Sequence, residues 1–279
     1  MEKIMFGIRE KKKMHSGPFT HVKVPLFLLA LICLTAMGSQ SVAKAEGSQW
    51  KFGLGTGLFG LNLDGTQGLH LIRINTPVEF DIDMNASDVR DIIDTALGFG
   101  GYATNGTLLI DYSLQYLKLE DGESYSGGPL SRFDLEFESS GLEVMVGYPV
   151  FTRPNILLMV HGGIRYTSHE MDSSLVYNGI TYPRNLDHDW VDGLIGISAK
   201  IPVSRTVSWD TRLNAGYGGS DGTYQASTGL TWRFHKNWST NIFGKYTAVE
   251  FENGTKGSEN WYLYDVDEYG LGLGILFHF

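Results

Sequence analysis

Tyr269-Gly-Leu-Gly-Leu-Gly-Ile-Leu-Phe-His-Phe279 is the stretch that decides how the chain reads. Taken two residues at a time, Tyr269, Leu271, Leu273, Ile275, Phe277 and Phe279 share one face, and Gly270, Gly272, Gly274 and His278 share the other. Successive strand side chains point to opposite faces, so this is a β-strand with one apolar, aromatic-ended face and one nearly bare face. In a soluble sandwich such a strand would be interior. A strand that closes a membrane barrel needs lipid on one side and tight packing on the other, which this alternation supplies.

Outward from that strand, the rest of the chain has the composition of a transmembrane barrel. Glycine is 35 of 279 residues, above the usual ~7%, and the only long apolar run is Val24 to Met37. That run follows Lys11, Lys12, Lys13 and Lys23 and precedes Ala43-Lys44-Ala45, so residues 1 to 45 read as a secretory signal cleaved after Ala45. It is short of the ~20 residues a spanning helix needs. Met5 and Met14 are alternative starts. Cys33 lies inside the signal, so residues 46 to 279, the barrel domain, carry no cysteine for a disulfide. Residues 1 to 45 hold seven Lys/Arg and two Asp/Glu, so of the chain's −9 the remainder carries −14. An acidic surface argues against nucleic acid and against docking on anionic lipid.

The period-two pattern predicts strands at Trp50 to Leu61, Gly68 to Ile74 and Val78 to Met84, with Asn62-Leu63-Asp64-Gly65 as a turn. At Ser87 to Leu97 the alternation gives way to apolar residues at Val89, Ile92, Ile93 and Ala96, a helical spacing with Ser87 as N-cap. Nine further strands follow, the first two joined at Asn105-Gly106, a strong hairpin signal. In Arg132 to Tyr148, Phe133, Leu135 and Phe137 share one parity while Leu142, Val144, Val146 and Tyr148 share the other. This predicts a bulge near Ser139-Ser140-Gly141. Short joints at Asn105-Gly106, Pro149 to Pro154, Ser204-Arg205 and His235-Lys236 alternate with long ones at Glu120 to Ser131, His169 to Asp189 and Glu252 to Trp261. Such joints suit periplasmic turns and external loops respectively. The expected fold is all-β, an antiparallel up-and-down transmembrane barrel of about twelve strands with one short amphipathic helix; ten strands is the alternative if the pair before the helix collapses.

The motifs Trp50-x-Phe52, Asp64-Gly65-x-x-Gly68, Phe80-Asp-Ile-Asp83 and Ser87-Asp88-Val89, with the terminal Phe279, resemble those of uncharacterised bacterial outer-membrane β-barrel proteins, porin-like and OmpW-like small barrels. The likeness covers about residues 50 to 120 and the last strand. It implies a Gram-negative outer-membrane location. It also implies that Tyr269, Leu271, Leu273, Ile275, Phe277 and Phe279 are read as an assembly signal by the outer-membrane assembly machinery. Outer-membrane lipids and lipopolysaccharide are then the surroundings.

Asp111, Glu143, His161, Arg165, Asp192, Lys200, Asp210, Arg212, Arg233 and Lys245 fall on the parity opposite the apolar face. They line either a ladder of ion pairs filling a narrow barrel or a pore that sorts small polar solutes. The helix either plugs the lumen, its Asp88, Asp91 and Asp94 meeting Arg165, Arg212 or Arg233, or caps a loop. Aromatics Trp50, Phe234, Trp238, Phe277 and Phe279 at one end, and Tyr116, Tyr166, Trp190, Tyr217, Tyr246 and Tyr269 at the other, read as interface girdles. Ser168-His169-Glu170 and Asp187-His188-Asp189 hold the ingredients of a lipase or deacylase but no known pattern, and no spacing marks a metal or cofactor site. The functional expectation is a passive channel or structural barrel without catalysis. An enzyme acting on lipid or lipopolysaccharide and a surface adhesion protein are the alternatives.

Overall fold

A computed structural model describes residues 49–71, 75–124 and 130–279; the secretory signal expected over residues 1 to 45 lies outside the described residues. The strand quoted above is part of β11 (Tyr262–His278), which pairs antiparallel with β1 (Lys51–Leu71) from Gly53↔His278 to Leu69↔Tyr262. That pairing closes the sheet. The remaining strands are β2 (Thr76–Met84), β3 (Ile93–Thr104), β4 (Leu109–Ser124), β5 (Leu130–Arg153), β6 (Ile156–Tyr177), β7 (Ile180–Pro202), β8 (Val207–Gly218), β9 (Gly222–His235) and β10 (Trp238–Asn253), with one helix among the described residues, α1 (Ala86–Ile92).

Ten strands form the ring among the described residues, in the order β1, β3 to β11 and back to β1; β2 pairs with β1 alone. The twelve-strand count is therefore corrected to the ten-strand alternative, while the nine strands after the helix stand. The error lay at Asn62 to Gly65, which is mid-strand: Gly65 pairs with Val266 on one edge and Ile82 on the other. Its φ of +152° and the Asp265 carbonyl crowding its missing Cβ need glycine there. Pairing along both edges holds extended a segment whose local preference is to turn.

β2, α1 and β3 run downward as one interrupted strand. β2 pairs with residues 63–71 of β1, β3 pairs with residues 51–56, and α1 fills the wall between. The helix starts earlier and ends sooner than expected. Asn85, not Ser87, is the N-cap: its side chain accepts from the Ser87 and Asp88 amides while Asp88 accepts from the Asn85 amide, a capping box. Ile93 to Leu97 belongs to β3, because those residues pair with Leu119 to Tyr116 of β4.

Outward-facing residues in the lower barrel are apolar, with Leu58, Ile164, Ile195, Ile242 and Leu271 all exposed. Trp50, Phe52, Phe277 and Phe279 stack in a lower girdle, and Trp238 packs on Phe277. Tyr217, Tyr246 and Tyr269 are exposed near the opposite edge of the apolar band. This band is the lipid face. A membrane strand needs ~9–11 residues, yet β5, β6 and β7 have 24, 22 and 23. At ~3.3 Å per residue and ~40° of tilt, the surplus carries them about 30 Å beyond the band. His169 to Asp189 reads in the sequence as the longest loop, carrying a small hairpin at Asn178-Gly179. The hairpin turn is at Asn178-Gly179 as expected, but the pairing runs through the whole tract, so it is strand and not loop.

The bulge expected at Ser139 to Gly141 is absent: β4 and β5 pair without a register shift through that point. From Leu135 to Gly147 the odd-numbered β5 residues face inward. What changes is the surroundings. Inside the membrane the apolar residues are the outward ones (Val144, Val146, Tyr148); beyond it they are the inward ones (Leu135, Phe137), which pack on an internal core. β11 inverts likewise, with inward Tyr262, Tyr264 and Val266 above outward Tyr269, Leu271 and Leu273.

Candidate functional site

The barrel interior divides into two zones. In the part beyond the membrane, Leu63 and Leu69 (β1), Val89 (α1), Leu119 (β4), Met171 (β6), Leu186 and Trp190 (β7), Phe251 (β10) and Tyr262, Tyr264 and Val266 (β11) form one buried cluster. Trp190, expected in the outer girdle, stacks on Phe251 at 4.1 Å between ring centroids inside this core. His169 sits at its centre, edge-on to Tyr264, Trp190 and Phe137 at 4.5, 4.9 and 5.0 Å. Its Nδ1 lies 3.1 Å from the Tyr262 hydroxyl, which accepts from Gln67 Nε2 at 3.2 Å. Burial, then the neighbouring His188, pushes the His169 pKa down to about 3. Burial likewise raises Tyr264, with Glu268 beside it adding to the effect.

The expected enzyme ingredients do not assemble. His169 pairs across the ladder with His188, Ser168 with Asp189 and Glu170 with Asp187. Both histidines point into the core, so their sequence neighbours point out.

Below the core the interior is polar. Arg212 donates to both oxygens of Asp111 (2.7 and 3.0 Å), and Arg165 donates to Glu143 (2.6 and 3.1 Å) and to the Thr223 hydroxyl. Lys200 pairs with Asp210 at 2.8 Å. His161 Nε2 lies 2.6 Å from Ser198 Oγ. Asp192 is buried and accepts from the Ser220 amide; Lys245 lies 3.4 Å from the Gln115 side-chain oxygen. Arg233 is exposed near the lower end of β9. Tyr102 reaches across Gly53 to His278 Nδ1, and His278 Nε2 meets Ser239. Ser198, Tyr102 and Ser239 were missed in the sequence because small or aromatic polar residues do not stand out there; the parity they share with the charged residues is their only signal.

Among the described residues, Asp88 and Asp91 of the helix and Asp94 at the start of β3 meet no basic wall residue, contrary to the plug expectation. Asp88 serves the capping box, Asp91 pairs with Arg90 at 2.9 Å, and Asp94 accepts from Thr95. Asn62 anchors the helix to the wall by accepting from the Ala86 amide and donating to the Tyr269 carbonyl. Only Val89, 1% exposed, enters the core, flanked by Ile92.

Solved outer-membrane β-barrels resemble this closed barrel in fold. The outer membrane protease OmpT from Escherichia coli aligns over 85% of this chain and 99% of its own, with a TM-score of 0.50 and 8% identity. The fold is that of a bacterial outer-membrane β-barrel. A major outer membrane protein from Thermus thermophilus (TM-score 0.41, 12% identity, 83% of this chain and 100% of that one) and the attachment invasion locus protein Ail of Yersinia pestis (0.35, 10%, 83% and 99%) are more distant. No family model and no curated protein matches the sequence. At these identities the likeness extends to the fold alone.

Proposed function

We propose that this protein is a sealed barrel of the Gram-negative outer membrane that works at its surfaces instead of passing solutes. The observation that carries this reading is the buried core: side chains from β1, β4, β6, β7, β10, β11 and α1 meet in the interior. A conducting pore needs a continuous polar path. The ion-pair ladder beneath fits the same reading, since Asp111, Glu143 and Asp210 each hold a basic partner. In planar bilayers the purified protein should give no channel steps, and steady conductance steps from the wild-type barrel would refute the sealed reading.

Binding at the external surface is a second reading with its own support. The upper ends of β4 to β7 form a trough of about 520 Å³ lined by Glu120, Asp121, Asp134, Glu136 and Asp172. Lys118 pairs with Glu120 and Glu136 and Arg132 with Asp134, and the five carboxylates still outnumber these two cations, which suits a cationic ligand. Retention of a polylysine probe that weakens with salt and is lost in the Asp134→Lys/Glu136→Lys variant would support it; retention unchanged by either would sink it.

A further inference from the structure

Ser198, His161 and Asp111 come from three strands, β7, β6 and β4, and meet on the inward face of the barrel below the core. Ser198 Oγ is 2.6 Å from His161 Nε2, and His161 Nδ1 is 4.0 Å from Asp111 Oδ2. The order hydroxyl, imidazole, carboxylate is that of an activated nucleophile, a base and the group that orients the base. The His161 ring is fully buried and lies against Gly147, where a Cβ would fall 2.7 Å from Nδ1. Nδ1 has no hydrogen-bond partner among the described residues. An approach of about 1 Å would complete its bond to Asp111, within the tightening such contacts undergo when a substrate binds. Ser198 is part-exposed, so the nucleophile faces the lumen while the base is shielded.

We propose that Ser198 is a nucleophile activated by His161, with Asp111 as the positioning residue, and that the site hydrolyses short anionic esters entering by the lower mouth. The sealed reading bears only on the side of entry. Arg212 is the ladder partner of Ser198, and Lys200 lies two residues along the same face. Lys51, Lys200 and Arg233 sit near the lower rim and outnumber Asp210, which favours an anionic substrate. In the step, Ser198 Oγ bonds to the acyl carbon and its proton passes to Nε2. The ester C–O bond then breaks, and the alcohol leaves with that proton. Water attacks the acyl-serine by the same route, releasing the carboxylic acid and restoring Ser198.

The test uses the full barrel in detergent and diisopropyl fluorophosphate, which bonds through phosphorus to Oγ and loses fluoride. Mass spectrometry should place the adduct on Ser198. Ser198→Ala should abolish it, and His161→Gln should slow it at least 100-fold. Asp111→Asn should move the pH midpoint of labelling downward. Ser239, which contacts His278 but is almost completely buried, is the control: Ser239→Ala should label like wild type. Heat-modifiable mobility on electrophoresis reports folding of each variant. If His161→Gln does not fold, Ser198→Ala, which removes one oxygen, decides alone. An unlabelled wild type, or equal labelling in Ser198→Ala, overturns the nucleophile. A carboxylate-bearing short ester should show a lower KM than its neutral analogue, and equal values overturn the anionic class.

Discussion

Acidification should loosen the half of the barrel that rises beyond the membrane while leaving the membrane half intact. His169 is the cause. Its pKa is about 3 in the folded protein and ~6.5 in an unfolded chain. A histidine with a depressed folded value stabilises nothing as the cation; between these values the unfolded state binds the extra proton, so stability falls as pH drops from about 6.5 towards 3. At pH 4.5 the gap is about 2 pH units, or ~2.7 kcal/mol at ~1.36 kcal/mol per unit, a factor of about 100 in local opening. The geometry shows why protonation is resisted. Tyr262 accepts from Gln67 and so directs its own proton to Nδ1, the atom a second proton would occupy. The groups around the ring are Phe137, Trp190, Tyr262, Tyr264 and His188, and none supplies an anion. Hydrogen exchange, corrected for the intrinsic effect of pH, should show residues 186–190 and 262–266 losing about 100-fold in protection between pH 7.5 and 4.5. Residues 271–277 should not change. In His169→Gln the pH dependence should vanish. Equal protection at both pH values, or the same loss in the glutamine variant, would refute the argument.

Other expectations follow from single contacts. Arg165→Met should cost ~3 kcal/mol or more by leaving Glu143 buried and unpaired, whereas Glu143→Leu/Arg165→Met should return close to wild type; urea titration in detergent compares the two. Gly272→Leu should weaken folding because a Cβ there runs into the Phe243 ring, and adding Phe243→Ala should restore much of the loss, read from the folded fraction on unheated gels. Asn85→Ala should cost ~1 kcal/mol, visible as faster exchange of the Val89 to Ile92 amides with the surrounding strands unchanged. Trp190→Ala/Phe251→Ala removes a stacked pair, each truncation costing ~3–5 kcal/mol; the variant is expected to pass current in bilayers where the wild type passes none.

The lipid-facing half was legible from the sequence because there one solvent dictates one face. Leu271, Leu273 and Ile275 read correctly as the lipid face of a closing strand, and that strand closes the barrel on β1. The half beyond the membrane was not, because its apolar residues face inward. Phe133, Leu135 and Phe137 against Leu142, Val144 and Val146 gave a parity change that a bulge and a change of solvent explain equally well. Only the unbroken β4–β5 register separates them. Of the lumen residues, the pairs Asp111 with Arg212 and Glu143 with Arg165 join positions 101 and 22 residues apart, so parity could assign the face but not the partner. The bare glycine face of β11 at Gly272 is covered by Phe59 and Phe243, stacked 6.2 Å apart. The helix sits at the other edge of β1, where β3 stops.

The inversion of apolar parity along β5 and β11 also fixes how deep the molecule rides in its bilayer. Sliding outward by one two-residue step, about 5 Å along the normal at these tilts, would lift tyrosines such as Tyr246 and Tyr269 off the headgroups and uncover an apolar row to water. Sliding inward by the same step would press outward Glu136 and Glu138 of β5 towards hydrocarbon. Both displacements are opposed on every long strand at once, so the barrel carries its own waterline.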